Sequence, residues 1–335
     1  KKWKAEGRYE QEMAELDAFF DRTGHPRAPR FYIMKWLTDY IIEFGIDGYR
    51  VDTVKHTEEY VWQEFKEECD FAFNKFKTQN PDKVLDDNDF YLVGEVYNYN
   101  ISSGQLYDFG DKTVNYFNPL SFHSLINFEL KLDAKKLPKH EVFHKYDSIL
   151  NTSLKGFGTL NYLTSHDDSS PFDKQRNKSF ETATILMLSL GTAQVYYGDE
   201  SARPLNIEGT VGDATLRSFM NWNDIKHDKQ TQDILTYWQK LGQFRSKHPA
   251  IGAGRHQVLN KSPFIFKRSF MTDDFSDEVV IGLGLTKLKK IVEVSEVFED
   301  GTLLHEAYSN QDVNVVDGKA VINSQYEIIL LEHKN

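Results

Sequence analysis

Apolar residues at Ile33, Trp36, Leu37, Tyr40, Ile41 and Phe44 recur at the three- and four-residue spacing of a helix face, and the pattern stops at Gly45. An apolar run of strand length, Ile46–Asp52, follows at once. Val61, Trp62, Phe65, Cys69, Phe73 and Phe76 then mark a long amphipathic helix. The stretch Tyr91–Val96 is almost continuously apolar, as a strand covered on both faces should be. The alternation continues with a strand near Ser124–Phe128 and a helix over His140–Leu150, then a strand at Leu160–Thr164 and a helix over Phe180–Leu190. A last strand, Gln194–Gly198, leads through a long loop to a helix carrying Ile234, Leu235, Trp238, Leu241 and Phe244.

Strand-then-helix repetition implies a parallel sheet. Five such units with buried strands point to an α/β fold containing part of a (β/α)8 TIM barrel, which needs eight strands to close. Residues 1–30 carry a polar helix-like segment and a breaker-rich stretch but no convincing strand. They read as a connecting segment before the third barrel helix, with strands 4–8 being the visible ones. After His248-Pro249 the pattern shifts to short alternating runs separated by Gly, Asp and Asn turns. The expected division is a partial catalytic barrel over 1–255 and a C-terminal antiparallel β-sandwich over 256–335.

The 335 residues are 40% hydrophobic, 27% charged and 14% aromatic, with a net charge of −11. No basic cluster interrupts the acidic balance, which argues against a nucleic-acid partner. Aromatic richness without basic charge suits a neutral, stackable ligand such as a sugar. Cys69 is the only cysteine, so an intrachain disulfide is excluded and the compartment stays open. No apolar run is long enough for a membrane span. The chain opens Lys1-Lys2-Trp3, which reads as a processed or excised piece.

The chemistry concentrates at strand ends. Arg50 and Asp52, two apart, share one side of their strand, and a guanidinium there would keep the carboxylate ionised. Glu95 ends the next strand behind Leu92-Val93-Gly94, an apolar flank that would raise its pKa toward that of a general acid. His166-Asp167-Asp168 closes a later one. In a (β/α)8 barrel such ends open into one mouth, and two facing carboxylates are what glycoside hydrolysis requires. Asp168 and Asp199-Glu200 read as structural groups, capping turns or pairing with Arg203.

These segments resemble glycoside hydrolase family 13, the α-amylase family. Gly48–His56 is similar to the family's fourth-strand motif, Val93–Val96 to the fifth, Thr164–Asp167 to the seventh and Gln194–Glu200 to the eighth. The wording of Ala5–Leu16, Tyr162–Asp167, Gly198–Pro204, Arg217–Trp222 and His248–Gly254 resembles the periplasmic α-amylases within that family.

The resemblance implies a retaining hydrolase of α-1,4-glucosidic bonds in starch or maltodextrins, periplasmic or secreted. Asp52 would be the nucleophile, Glu95 the general acid and base, and Asp167 the group binding the sugar at the cleavage point. Arg50 and His166 would contact that sugar or orient the nucleophile. Lys55, His56 and Tyr97 would contact the leaving side, and the His56 main-chain carbonyl would ligate a structural calcium. The family's third-strand motif is absent, so the chain would not complete the site alone, and a second polypeptide could supply the N-terminal barrel strands. Ser165 replaces the asparagine that often precedes the His-Asp pair, so a chloride site is not expected. Two other functions fit the same residues: a glucanotransferase or branching enzyme, and a non-catalytic glucan-binding protein.

Overall fold

The computed structural model describes residues 1–118, 120–168 and 170–334, which form two compact units. The first comprises residues 1–97 and 106–125, and the second residues 98–105 and 126 onward.

In the first unit, helices α1 (Lys2–Ala5), α2 (Tyr9–Thr23) and α3 (Pro29–Phe44) precede strand β1 (Gly48–Val51), helix α4 (Glu59–Gln79) and strand β2 (Tyr91–Gly94). Helix α3 begins on Pro29, whose missing N–H costs nothing there, and ends on Gly45. Gly45 is left-handed (φ 67°) and returns its N–H to Ile41 at 2.9 Å. The helix is where the periodicity placed it, but a different face is buried. Phe31, Met34, Lys35, Thr38 and Ile41 point inward, whereas Ile33, Trp36, Tyr40 and Phe44 are exposed. Its apolar residues cover most of the circumference, so spacing alone could not select the stripe.

Helix α4 buries Phe65, Phe73 and Phe76, and Phe65 covers β1. The Phe65 ring stacks on Tyr49 at 6.1 Å, and Phe73 meets Phe90 edge-on at 5.7 Å. Strands β1 and β2 pair in parallel, Gly48 opposite Tyr91 through Val51 opposite Gly94. Gly48 admits this close approach: a Cβ there would lie 2.5 Å from the Tyr91 carbonyl oxygen. Strand β1 is only half-buried, not buried as expected, because it is the edge strand of its sheet. The hairpin β3 (Leu106–Asp108) and β4 (Thr113–Asn115) follows. Strand β5 (Ser124–Asn127) pairs in parallel with β2 through Ser124 and Leu125 and ends in the second unit.

The second unit continues with α5 (Leu130–Lys136), α6 (Lys139–Leu150), β6 (Gly158–Asn161), α7 (Ser179–Leu188) and β7 (Thr192–Ala193). Strands β6 and β7 are parallel, and Asn127 donates to Asn161 Oδ1 at 2.9 Å, tying the end of β5 to β6. Both predicted strands here lie earlier than expected. Tyr162, Leu163 and Thr164 follow β6 as a buried loop, and Gln194–Gly198 leaves the ladder after one bond, Gln194 N–H to the Asn161 carbonyl (2.8 Å). Tyr162, Leu163 and Tyr196 are buried outside the ladder, whereas Val195 and Tyr197 are exposed. Helix α7 is almost wholly buried.

Helices α8 (Trp222–His227), α9 (Lys229–Lys247) and α10 (Pro249–Ala253) lead to strands β8 (Arg255–Lys261), β9 (Phe264–Met271), β10 (Ser276–Leu283), β11 (Leu288–Glu293), β12 (Leu303–Glu306), β13 (Gln311–Asn314), β14 (Lys319–Ser324) and β15 (Ile328–His333). Six form an antiparallel sheet of order β13-β12-β15-β10-β9-β8, and β11 pairs with β14. Ile265, Val280, Leu304 and Ile329 from the larger sheet share one core with Val292, Ala320 and Ile322 from the smaller.

Candidate active site

The register of β1 against β2 decides the first part of the site. Because Val51 stands opposite Gly94, the next residues, Asp52 and Glu95, leave their strands abreast. Two backbone bonds extend the pairing: Glu95 N–H donates to the Val51 carbonyl (2.8 Å) and Val54 N–H to the Glu95 carbonyl (3.0 Å). Between them Thr53 is left-handed, φ 48°, an uncommon conformation for a β-branched residue. That twist aims its N–H at Glu95 Oε2, 3.0 Å away.

Arg50 reaches both carboxylates: one terminal nitrogen donates to Asp52 Oδ1, and the other lies 3.4 Å from Glu95 Oε2. The two acids differ in setting. The Asp52 side chain is 65% exposed and that of Glu95 9%. Burial pushes the Glu95 carboxyl above the ordinary glutamate value; the Thr53 N–H and Arg50 oppose this, while a hydrogen bond and charge from Asp52 add to it. One exposed carboxylate beside a guanidinium and one buried carboxyl of raised pKa give the division of labour that acid and nucleophile need.

Lys55 sits just beyond, in a single 3₁₀ turn, Val54–His56. Its ammonium donates to the Tyr97 carbonyl (3.3 Å) and to Tyr107 Oη (3.0 Å), and lies 5.2 Å from the centre of the Tyr97 ring. Tyr107 also donates to the Tyr97 carbonyl at 2.9 Å. Tyr107, on β3, was not picked out from the sequence; its only signal was membership of a tyrosine-rich stretch. The Tyr97 ring is half exposed, and His56 is exposed at the end of its turn.

In the second unit, the loop after β6 brings His166 and Asp167 together, with Nε2 3.4 Å from Oδ2. Ser165 donates to Asp167 Oδ1 at 3.0 Å, and Arg217 holds the His166 carbonyl at 3.0 Å. Asp168 is structural: it pairs with Lys131, accepts from Tyr162 (3.1 Å) and caps the turn at Ser170 N–H (3.0 Å). Asp199 is fully buried and ion-paired, but with Arg176 at 2.8 Å instead of Arg203. Arg203 is turned to main-chain carbonyls, those of Tyr197 (2.9 Å), Leu216 (3.2 Å) and Ser218 (3.0 Å). Arg176, itself left-handed at φ 59°, also donates through Nε to the Arg203 carbonyl at 2.7 Å. Glu200 accepts the Gly198 N–H at 3.0 Å as a turn cap.

Among the described residues no group of three or more His, Cys, Asp or Glu side chains is placed to hold a metal ion. None of their helices is long and apolar enough to cross a membrane.

Residues 27–228 match the family model for the α-amylase catalytic domain. The periplasmic α-amylase of Escherichia coli (strain K12) is 36% identical over 234 residues, covering 69% of this chain and 32% of that protein. A Bacillus cyclomaltodextrinase is 25% identical over 268 residues, 77% of this chain and 42% of its own. Among solved structures, the α-amylase from Geobacillus thermoleovorans complexed with acarbose superposes with a TM-score of 0.59 at 20% identity, covering 91% of this chain and 64% of that one. AmyP in complex with maltose gives 0.60 at 16% identity, covering 92% and 68%. The chain belongs to the α-amylase family, glycoside hydrolase family 13. It spans about a third of the length of the periplasmic relative (32%).

Proposed function

We propose that the protein hydrolyses α-1,4-glucosidic bonds in starch-like or maltodextrin chains with retention of configuration. The observation that carries this reading is the Asp52–Glu95 pair, abreast on neighbouring parallel strands, bridged by Arg50 and split between an exposed carboxylate and a buried carboxyl of raised pKa. In the first step Asp52 Oδ attacks the anomeric carbon while Glu95 gives its proton to the departing glycosidic oxygen. In the second, Glu95, now a carboxylate, takes a proton from water, which attacks the same carbon and frees Asp52. Arg50 holds the nucleophile in place. Asp167 and His166 bind the hydroxyls of the sugar being cleaved. Lys55, His56 and Tyr97 receive the leaving chain, Tyr97 offering a flat face to a pyranose ring.

Several finer readings belong to the same proposal. Strands β1, β2, β5, β6 and β7 are strands 4–8 of a (β/α)8 barrel, with residues 1–255 the catalytic part and 256–335 the C-terminal β-sandwich. The location is periplasmic or secreted, as for the periplasmic relative. A second polypeptide supplying further strands has no support among the relatives. Calcium, if bound, takes the His56 main-chain carbonyl as one ligand. The described side chains make no metal site by themselves, and no step above runs through a metal.

The test is reducing-sugar release from soluble starch by the parent and by Asp52→Asn and Glu95→Gln. Each variant is expected to lose at least about 10³-fold in kcat with its melting temperature no lower than the parent's. Activity within tenfold of the parent in either variant would sink the assignment.

A further inference from the structure

A cleft of about 810 Å³ opens in the second unit between the first turns of α6 and α7, the middle of α9 and the loops around β10, β12 and β15. None of the residues proposed above for catalysis or substrate contact lines it. Its volume falls in the range of small-molecule sites.

Four aromatic rings run along it edge to face. Phe180 meets Tyr237 at 5.2 Å, Tyr237 meets Tyr308 at 5.7 Å, and Tyr308 meets Tyr326 at 4.9 Å. The inner pair is anchored. Tyr237 Oη bonds Thr184 Oγ1 at 2.7 Å, and Lys240 lies 4.5 Å from the centre of the Tyr308 ring while also donating to the Tyr308 carbonyl. The outer pair stays open to water, Phe180 by 43% and Tyr326 by 36%. Leaving two large rings wet at the ends of a pre-arranged ladder has no packing benefit.

The rim decides what kind of molecule fits. Lys139 pairs with Glu181 at 3.1 Å and Lys287 with Glu327 at 3.8 Å. With these cations matched by anions, the cleft offers little to a phosphate or carboxylate ligand. It still presents hydrogen-bonding groups, with Gln325 and His140 beside them. Flat apolar faces ringed by neutralised polar groups suit a pyranose, which has an apolar C–H face and a polar edge. An aliphatic ligand would gain nothing from that rim.

We propose that this cleft is a second carbohydrate-binding site, taking a linear oligosaccharide of neutral pyranoses across Phe180 and Tyr326. That the sugar is an α-glucan rests on the function proposed above; that it is a sugar rests on the rings and the paired rim.

The test uses the full chain carrying Glu95→Gln, so that ligand is not consumed, titrated calorimetrically with maltoheptaose and separately with cellohexaose. Two classes of site are expected for maltoheptaose. Adding Phe180→Ala and Tyr326→Ala should weaken one class about tenfold or more and leave the other within twofold. Should the pair lower the melting temperature, Tyr326→Ala alone, at an exposed ring, gives the same reading with a smaller loss. Isotherms left unchanged by Phe180→Ala and Tyr326→Ala, whether they show two classes or one, would overturn the proposal. Binding of cellohexaose in place of maltoheptaose at the ring-dependent site would uphold a sugar site and overturn its assignment to α-glucan. Starch hydrolysis by the parent is scored separately, so a failure of the catalytic reading is visible without affecting the binding result.

Discussion

The main-chain N–H of Thr53 donates to Oε2 of Glu95, so the residue directly after one candidate catalytic carboxylate holds the other in place. Asp52 and Glu95 therefore cannot be treated as independent groups. A change at one alters both the position and the proton affinity of its neighbour.

Replacing Arg50 with Gln should raise the Glu95 pKa further, because the guanidinium is one of the two influences that lower it. Asp52→Asn should act oppositely, since the Asp52 charge raises it. Carbon-13 NMR titration of the Glu95 carboxyl reads both shifts. If the two variants moved Glu95 in the same direction, the electrostatic account would fail.

Glu95 should also cost the protein stability at neutral pH. Its folded pKa lies above the ordinary 4.5, so the unfolded chain ionises first as pH rises. Stability falls through that window and stays lower above it; below 4.5 the two states hold the proton alike. Glu95→Gln removes the loss, so its melting temperature is expected to exceed the parent's at pH 7.5 and approach it at pH 4. Calorimetric scans at the two pH values check this. A variant less stable than the parent at pH 7.5 would contradict it.

Tyr107→Phe should act on leaving-side binding. It removes the hydroxyl that orders Lys55 and the Tyr97 carbonyl, a loss of about 1 kcal/mol, or roughly fivefold. We expect KM for maltoheptaose to rise by that factor with kcat nearly unchanged. A fall in kcat at constant KM would show instead that the tyrosine acts on the chemical step.

His248 is predicted to be a strong structural tie. Its ring bonds Asp277 Oδ1 at 2.7 Å on one side and Glu332 Oε2 on the other, joining the α9–α10 junction to β10 and β15. Burial would raise Glu332, but Lys247 and His248 outweigh it and hold this carboxyl below its ordinary value. His248→Ala should destabilise by about 3–5 kcal/mol in urea titrations, since two buried carboxylates lose their shared partner. The Glu332 contribution is present above the ordinary value of 4.5 and lost as pH falls through its lowered one, so the gap between parent and variant should narrow in acid. A difference under about 1 kcal/mol would show the cluster to be dispensable.

The sequence carried much of this architecture because most elements announce themselves locally. The helices expected over Ile33–Phe44, Val61–Phe76 and Ile234–Phe244 are present, the first with another face buried, and Asp52 and Glu95 sit at the two strand ends where they were expected. What it could not disclose depends on partners remote in the chain. The apolar run Gln194–Gly198 resembles a strand, yet Tyr196 is buried by a cluster with Leu205 and Leu216, not by ladder bonds. Asp199 takes Arg176 instead of the nearer Arg203. Tyr107 reaches Lys55 across 52 positions of sequence. The short alternating runs after His248-Pro249 do not disclose the number or order of the C-terminal strands, because pairing there follows a sheet order remote in sequence.

Gly48 carries a last consequence. The carbonyl of Tyr91 occupies the space a side chain would need, so an alanine there must push β1 away from β2 or shift it along. A shift of one residue would part Asp52 from Glu95 by about 3.3 Å, enough to abolish any joint action. A saturation scan scored by turnover should therefore rank this position beside the acids themselves, although it has no side chain with which to meet a substrate. Turnover scores alone will overcount the catalytic groups, and only a paired stability readout will separate the residue that spaces the acids from those that do the chemistry.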